Sequence, residues 1–210
     1  KKYSKAMETI NIYCENTATE VHVPMGTTLK ELSERVCPAT GPSTSVLAAL
    51  VDNKLKSLDY RIINPHNVRF VGYDHPDGRR TYIRSLCFVL QNVVRKMFPD
   101  KVLAIDYSLP SGLYCEIREV DAMEDGRPKV HFVTDEKLQE IEDGMKDLIK
   151  AGLPFTKVMM NLEECEKIFA RNNQFEKVGL FKTVGRLHNS VYFLDGQADT
   201  FYGPLAPSTG

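Results

Sequence analysis

The sequence lacks paired cysteines. Cys14, Cys37, Cys87, Cys115 and Cys165 are odd in number, scattered and never spaced C-x-x-C. A disulfide framework or zinc knuckle needs tighter spacing, so reduced thiols in a cytoplasmic protein are expected. No apolar run approaches the roughly 20 residues that span a bilayer. No signal peptide is visible either, because the charged start at residues 1–7 has no apolar stretch behind it. No membrane partner is therefore expected. An excess of one charge is missing too: 27 basic residues stand against 28 acidic ones, for a net charge of -1. Dedicated DNA binding usually needs a clear basic surplus, so DNA is excluded as a partner, though a local basic face is still compatible. There is no G-x-x-x-x-G-K-[ST] loop, since Gly179-Leu180-Phe181-Lys182-Thr183 lacks the glycine before lysine, and there is no G-x-S-x-G. These residues accordingly hold no Walker-type nucleotide site, and no cofactor is expected in them.

What is present is the composition of a folded globular chain, 42% hydrophobic and 26% charged. Its 210 residues suit two small domains. The loop-like ending, Gly203-Pro204-Leu205-Ala206-Pro207-Ser208-Thr209-Gly210, suggests a piece of a longer polypeptide. Residues 8–23 alternate apolar and polar positions around Glu15-Asn16-Thr17-Ala18, which predicts a hairpin ended by Pro24. Thr28 with Glu31 three residues later forms a capping box, ahead of Leu29, Leu32 and Val36 at helical spacing. Short strands are expected at 47–51 and 68–71 around the turn signal Asp52-Asn53-Lys54. The order ββαβ…β is that of a small β-grasp module.

Asp74-His75-Pro76-Asp77-Gly78 reads as a linker. The helical stripe Ile83, Leu86, Cys87, Leu90, Val93, Val94 and Met97 follows, ended by Pro99. Strands at 102–105 and 113–117, a helix capped by Thr134 and stopped at Gly152-Leu153-Pro154, a short helix at 163–170 and a strand at 191–194 complete the pattern.

The segment Val23-Pro24-Met25-Gly26-Thr27-Thr28-Leu29-Lys30-Glu31-Leu32 resembles the signature of TGS domains, β-grasp modules of threonyl-tRNA synthetases, certain GTPases and stringent-response enzymes. Ile83-Arg84-Ser85-Leu86-Cys87-Phe88 through Met97-Phe98-Pro99 resembles the opening of the synthetase's editing domain, and Asp199-Thr200-Phe201-Tyr202-Gly203-Pro204-Leu205 its last motif. The resemblance implies an α+β fold. Residues 1–74 would be a TGS β-grasp domain and 75–80 a linker. Residues 81–210 would form a two-layer α/β domain like the second domain of threonyl- and alanyl-tRNA synthetases.

In that family the helix carries two histidines four residues apart, on one face as metal or proton-shuttle chemistry requires. The last motif adds a cysteine and another histidine. Here these positions hold Arg84, Phe88, Phe201 and Leu205, none of which can ligate a metal. The resemblance thus implies no catalytic and no metal residues, and a vestigial ligand pocket of Arg84, Phe88, Asp199, Phe201 and Leu205; Asp199 would either pair with Arg84 or be a solvated loop carboxylate.

The five histidines show no ligand spacing. Lys167, Arg171, Lys177, Lys182 and Arg186, interleaved with Phe169, Phe175 and Phe181, could make an RNA-facing stripe, but Glu163, Glu164, Glu166 and Glu176 among them favour a solvated mixed-charge face. Three functions remain open. A TGS module followed by a histidine-free synthetase-like domain is similar to the front of uridine-kinase-like proteins. That implies a non-catalytic binding or regulatory region, with ATP and Mg used by a P-loop kinase domain in cis beyond Gly210. The alternatives are a threonyl-tRNA synthetase-related editing hydrolase, or a tRNA-binding module. Candidate partners are tRNA or other RNA, or a small ligand.

Overall fold

The computed structural model describes residues 8–37, 45–109, 112–172, 174–184 and 188–210. The fold is α+β, and the chain divides into two compact units: residues 1–85 with 202–207, and residues 86–201 with 208–210.

The first unit is a β-grasp. Strands β1 (Thr9–Cys14) and β2 (Thr19–Pro24) form the expected hairpin, with Ile10 opposite Val23 and Ile12 opposite Val21. Period-2 alternation puts Ile12, Cys14 and Val23 on the inner face. With β3 (Ala48–Val51), β4 (Lys54–Lys56) and β5 (His66–Val71) they make a five-stranded sheet in the order β2-β1-β5-β3-β4. Among the described residues its one parallel pairing, β1 with β5, lies inside the sheet. Helix α1 (Leu29–Val36) starts at Thr28, whose side chain accepts from the Glu31 amide while the Glu31 carboxylate takes the Thr28 amide at 2.7 Å. Leu29 and Leu32 then enter one core with Ile12, Val23, Ile62, Val68 and Phe70. Full burial of each such side chain contributes about 1.5–3 kcal/mol.

Helix α2 (Pro76–Met97) begins earlier than its apolar stripe suggested. Pro76-Asp77-Gly78, read as part of a linker, open its first turn instead. Proline is well placed at the first helical position, where its missing amide hydrogen costs nothing, and Asp77 favours the positive helix start. Ile83, expected in the core, is 39% exposed, whereas Thr81, Ser85, Phe88 and Asn92 are buried on another face of the same helix.

In the second unit the later part of α2 packs Val93 and Val94 against Ile117 and Ile141. These come from β7 (Gly112–Glu124), the middle strand of a meander with β6 (Lys101–Leu109) and β8 (Arg127–Val130), and from α3 (Asp135–Ala151). Thr134 caps α3 and left-handed Gly152 ends it, as its sequence signals require. A second three-stranded antiparallel sheet joins β9 (Thr156–Asn161), β10 (His188–Leu194) and β11 (Gln197–Asp199), with β10 in the middle. Helices α4 (Leu162–Arg171) and α5 (Phe175–Val184) cover it through Cys165, Phe169 and Phe181, packed with Val191 and Ala198. No helix among the described residues is long and apolar enough to cross a membrane.

Candidate functional site

The five residues singled out in the sequence fall in both units. Arg84 and Leu205 belong to the first, and Phe88, Asp199 and Phe201 to the second.

In the first unit, α2 holds Arg84 so that its guanidinium donates to the carbonyl of Pro204. Gly203 lies directly against that guanidinium at φ +131, and a Cβ there would stand 2.7 Å from Nη1. The positive φ favours glycine, and a larger residue would also have to displace the Arg84 side chain. One residue on, the Ser85 hydroxyl donates to Thr81 O at 2.8 Å and accepts from the Ala206 amide at 2.8 Å. These bonds fix the 203–206 segment and bury Leu205.

In the second unit, Phe88 and Phe201 come together, with ring centroids 5.2 Å apart. Phe155 stacks on Phe88 at 5.9 Å, and Tyr192 meets Phe201 edge-on at 6.1 Å. Phe88 is fully buried. The positions where the resemblance expected an imidazole and a thiol therefore hold packed phenyl rings, and neither Phe88 nor Phe201 has a lone pair or titratable proton to contribute.

Asp199 is the polar counterpart of that cluster and is 0% exposed. Its Oδ2 accepts from Arg95 at 2.7 Å, and Oδ1 accepts from Lys177 and, at 2.6 Å, from the Thr200 amide. The sequence offered Arg84 as its cation. The cations brought to it in the fold are Arg95, two α2 turns past Phe88, and Lys177 from α5. Arg95 also donates to Ala198 O at 3.0 Å, and Gln174, with its amide oxygen turned inward, accepts from the same guanidinium. Burial draws Arg95 below its usual pKa while Asp199 opposes the shift. On the intervening turn, Asn92 donates to Leu194 O at 2.7 Å. Asn92 and Arg95 went unnoticed in the sequence because a polar face of a helix normally faces water.

The arrangement can anchor β11 and α5 to α2. No three His, Cys, Asp or Glu side chains gather as a metal site among the described residues. The basic stripe of the sequence resolves into separate roles. Lys167 pairs with Glu163 and Lys182 with Glu166, Lys177 serves Asp199, Phe169 and Phe181 are core, and Arg186 lies outside the described residues. All five cysteines are free thiols, and burial pushes the Cys87 thiol up to about 11.

Comparison with known proteins finds relatives along most of the chain. The chain is 26% identical over 187 residues to a threonine–tRNA ligase of Desulforamulus reducens, covering 89% of this chain and 28% of that protein. It is similar to threonine–tRNA ligases. The enzyme of Acetivibrio thermocellus is 27% identical over 186 residues, covering 88% of the chain and 27% of the ligase. Threonine–tRNA ligase 2 of Bacillus subtilis is 23% identical over 188 residues, covering 89% and 28%. A match of this length exceeds either unit alone, so the threonine–tRNA ligase-like region includes parts of both. The chain spans under a third of the length of these relatives. No family model matches it.

Proposed function

We propose that this chain is a threonyl-tRNA synthetase-related module that contacts tRNA and does not hydrolyse an aminoacyl ester. The observation that carries the second half of this reading is the packing of Phe88 against Phe201. Ester hydrolysis needs a water or hydroxyl activated by a base or a metal, and both positions hold bare hydrocarbon rings. Asp199, the carboxylate that could take a substrate amine, is already engaged by Arg95 and Lys177. The similarity to threonine–tRNA ligases across both units supports tRNA as the partner class.

Seryl-tRNA incubated with the purified chain tests the proposal. Release of serine at the uncatalysed rate, together with saturable tRNA binding that weakens as salt rises, is the expected result. Catalysed release would overturn the non-hydrolytic reading, and absence of tRNA binding would overturn the partner.

The finer reading places this module in a cytoplasmic uridine-kinase-like protein, as a regulatory region in cis to a P-loop domain that uses ATP and Mg. The gene sequence encoding the residues after Gly210 tests it. A Walker loop there supports the kinase context, and class II synthetase motifs replace it.

A further inference from the structure

The first unit presents an aromatic pair that its core does not use. Tyr73, 49% exposed, and Tyr82, 43% exposed, meet edge to face with centroids 5.1 Å apart and planes at 84°. The Arg79 guanidinium rests over the Tyr73 ring, 5.4 Å from its centroid. Arg79 and Tyr82 are three residues apart on α2 and share one face of it.

The pair is held in place by backbone. A Cβ on Gly78 would strike the carbonyl oxygen of Gly72, so the turn carrying Tyr73 lies directly against the first turn of α2. The His75 amide donates to Gly72 O at 3.2 Å, and the Arg79 amide donates to His75 O at 2.8 Å. The rings are thus oriented before any partner arrives, which lowers the ordering cost of binding. Asp74, Asp77, Arg79 and Arg80 lie in the same stretch of chain, with Asp77 taken by Arg80 at 2.5 Å. Tyrosine and arginine also suit protein–protein interfaces, but the core of such an interface is depleted of aspartate, and Asp74 and Asp77 lie in this stretch. Two rigid π-faces and a guanidinium among charged side chains fit instead one flat, charged partner: a base stacked on a tyrosine, with its phosphate near Arg79.

We propose that Tyr73, Tyr82 and Arg79 form a stacking platform for an unpaired nucleotide of RNA. The proposal rests on the tRNA-contacting reading above and names a surface that would serve it.

Fluorescence anisotropy with unfractionated tRNA and with a short unstructured RNA tests both levels. Tyr73→Ala/Tyr82→Ala should weaken both probes by about tenfold or more. Tyr73→Phe/Tyr82→Phe keeps the rings and should bind as the parent does. Arg79→Gln should cause a smaller loss and reduce the salt dependence by about one phosphate contact. Should the double alanine variant lose its fold, Tyr82→Ala alone repeats the measurement from the helix surface. If the parent binds RNA and the alanine variant binds equally well, the platform is overturned and the tRNA reading stands. A loss confined to tRNA, with the short RNA unaffected, overturns the unpaired nucleotide as occupant. A parent that binds neither probe overturns the tRNA reading itself.

Discussion

Asp52 and Asp199 stand at the ends of strands in different units, and each is gripped by partners on both carboxylate oxygens. Asp52 sits at φ +45 in the β3–β4 turn, accepts from the Asn67 amide at 2.9 Å and meets His66 Nδ1 at 2.6 Å, with its side chain 53% exposed. Asp199 is fully buried between Arg95 and Lys177. Water can replace any partner of the first carboxylate and none of the second. The same chemical group is therefore a modest turn fastener in one unit and an obligatory ion cluster in the other. Removing a partner from a buried charge exposes its full desolvation cost, whereas a surface pair is screened.

The sharpest break of this comparison is Arg95→Met, which takes one of its two cations from Asp199 and leaves Lys177 and the Thr200 amide. It should destabilise the second unit by about 3 kcal/mol in urea unfolding. Adding Asp199→Leu should recover much of that loss, and a double variant no better than the single would mean that Asp199 is not held by Arg95. A middle-sized effect is expected from the surface device of the first unit: Thr28→Ala removes the cap of α1 and should cost about 1 kcal/mol, read in the same assay. The smallest is Asp52→Asn. The Asn67 amide and His66 hold the Asp52 carboxyl below its ordinary 3.8. Its contribution is therefore fully present above that value and lost as pH falls through the lowered one. Melting temperatures of parent and variant should differ slightly at neutral pH and converge in acid below about pH 4. A gap that widens there would reverse the sign and the assignment.

Features with local causes were legible in the sequence. The β1–β2 hairpin, the Thr28–Glu31 capping box and the Thr134 and Gly152 ends of α3 each depend on residues within a few positions of one another. What escaped notice depends on distant partners. Strand β9, with Met159 and Met160 among few β-branched residues, gives little alternation, and β11 is only three residues long. Helix α5 carries Gly179 and little amphipathic contrast. Thr81, Ser85 and Asn92 looked like a wet face until the Thr81 hydroxyl found Asp77 O, the Ser85 hydroxyl the Ala206 amide and the Asn92 amide Leu194 O. Of the candidate site, the apolar identity of Phe88 and Phe201 could be read at once. That Asp199 would choose Arg95, 104 positions away, could not, because charge in a sequence carries no address.

The hydrogen bond from Arg84 to the carbonyl of Pro204 joins residues 120 positions apart. A ribosome adds that many residues on the order of ten seconds after α2 has emerged. Through that interval the carbonyl of Pro204 has not been made, so this one bond closes only after nearly the whole chain has been synthesised.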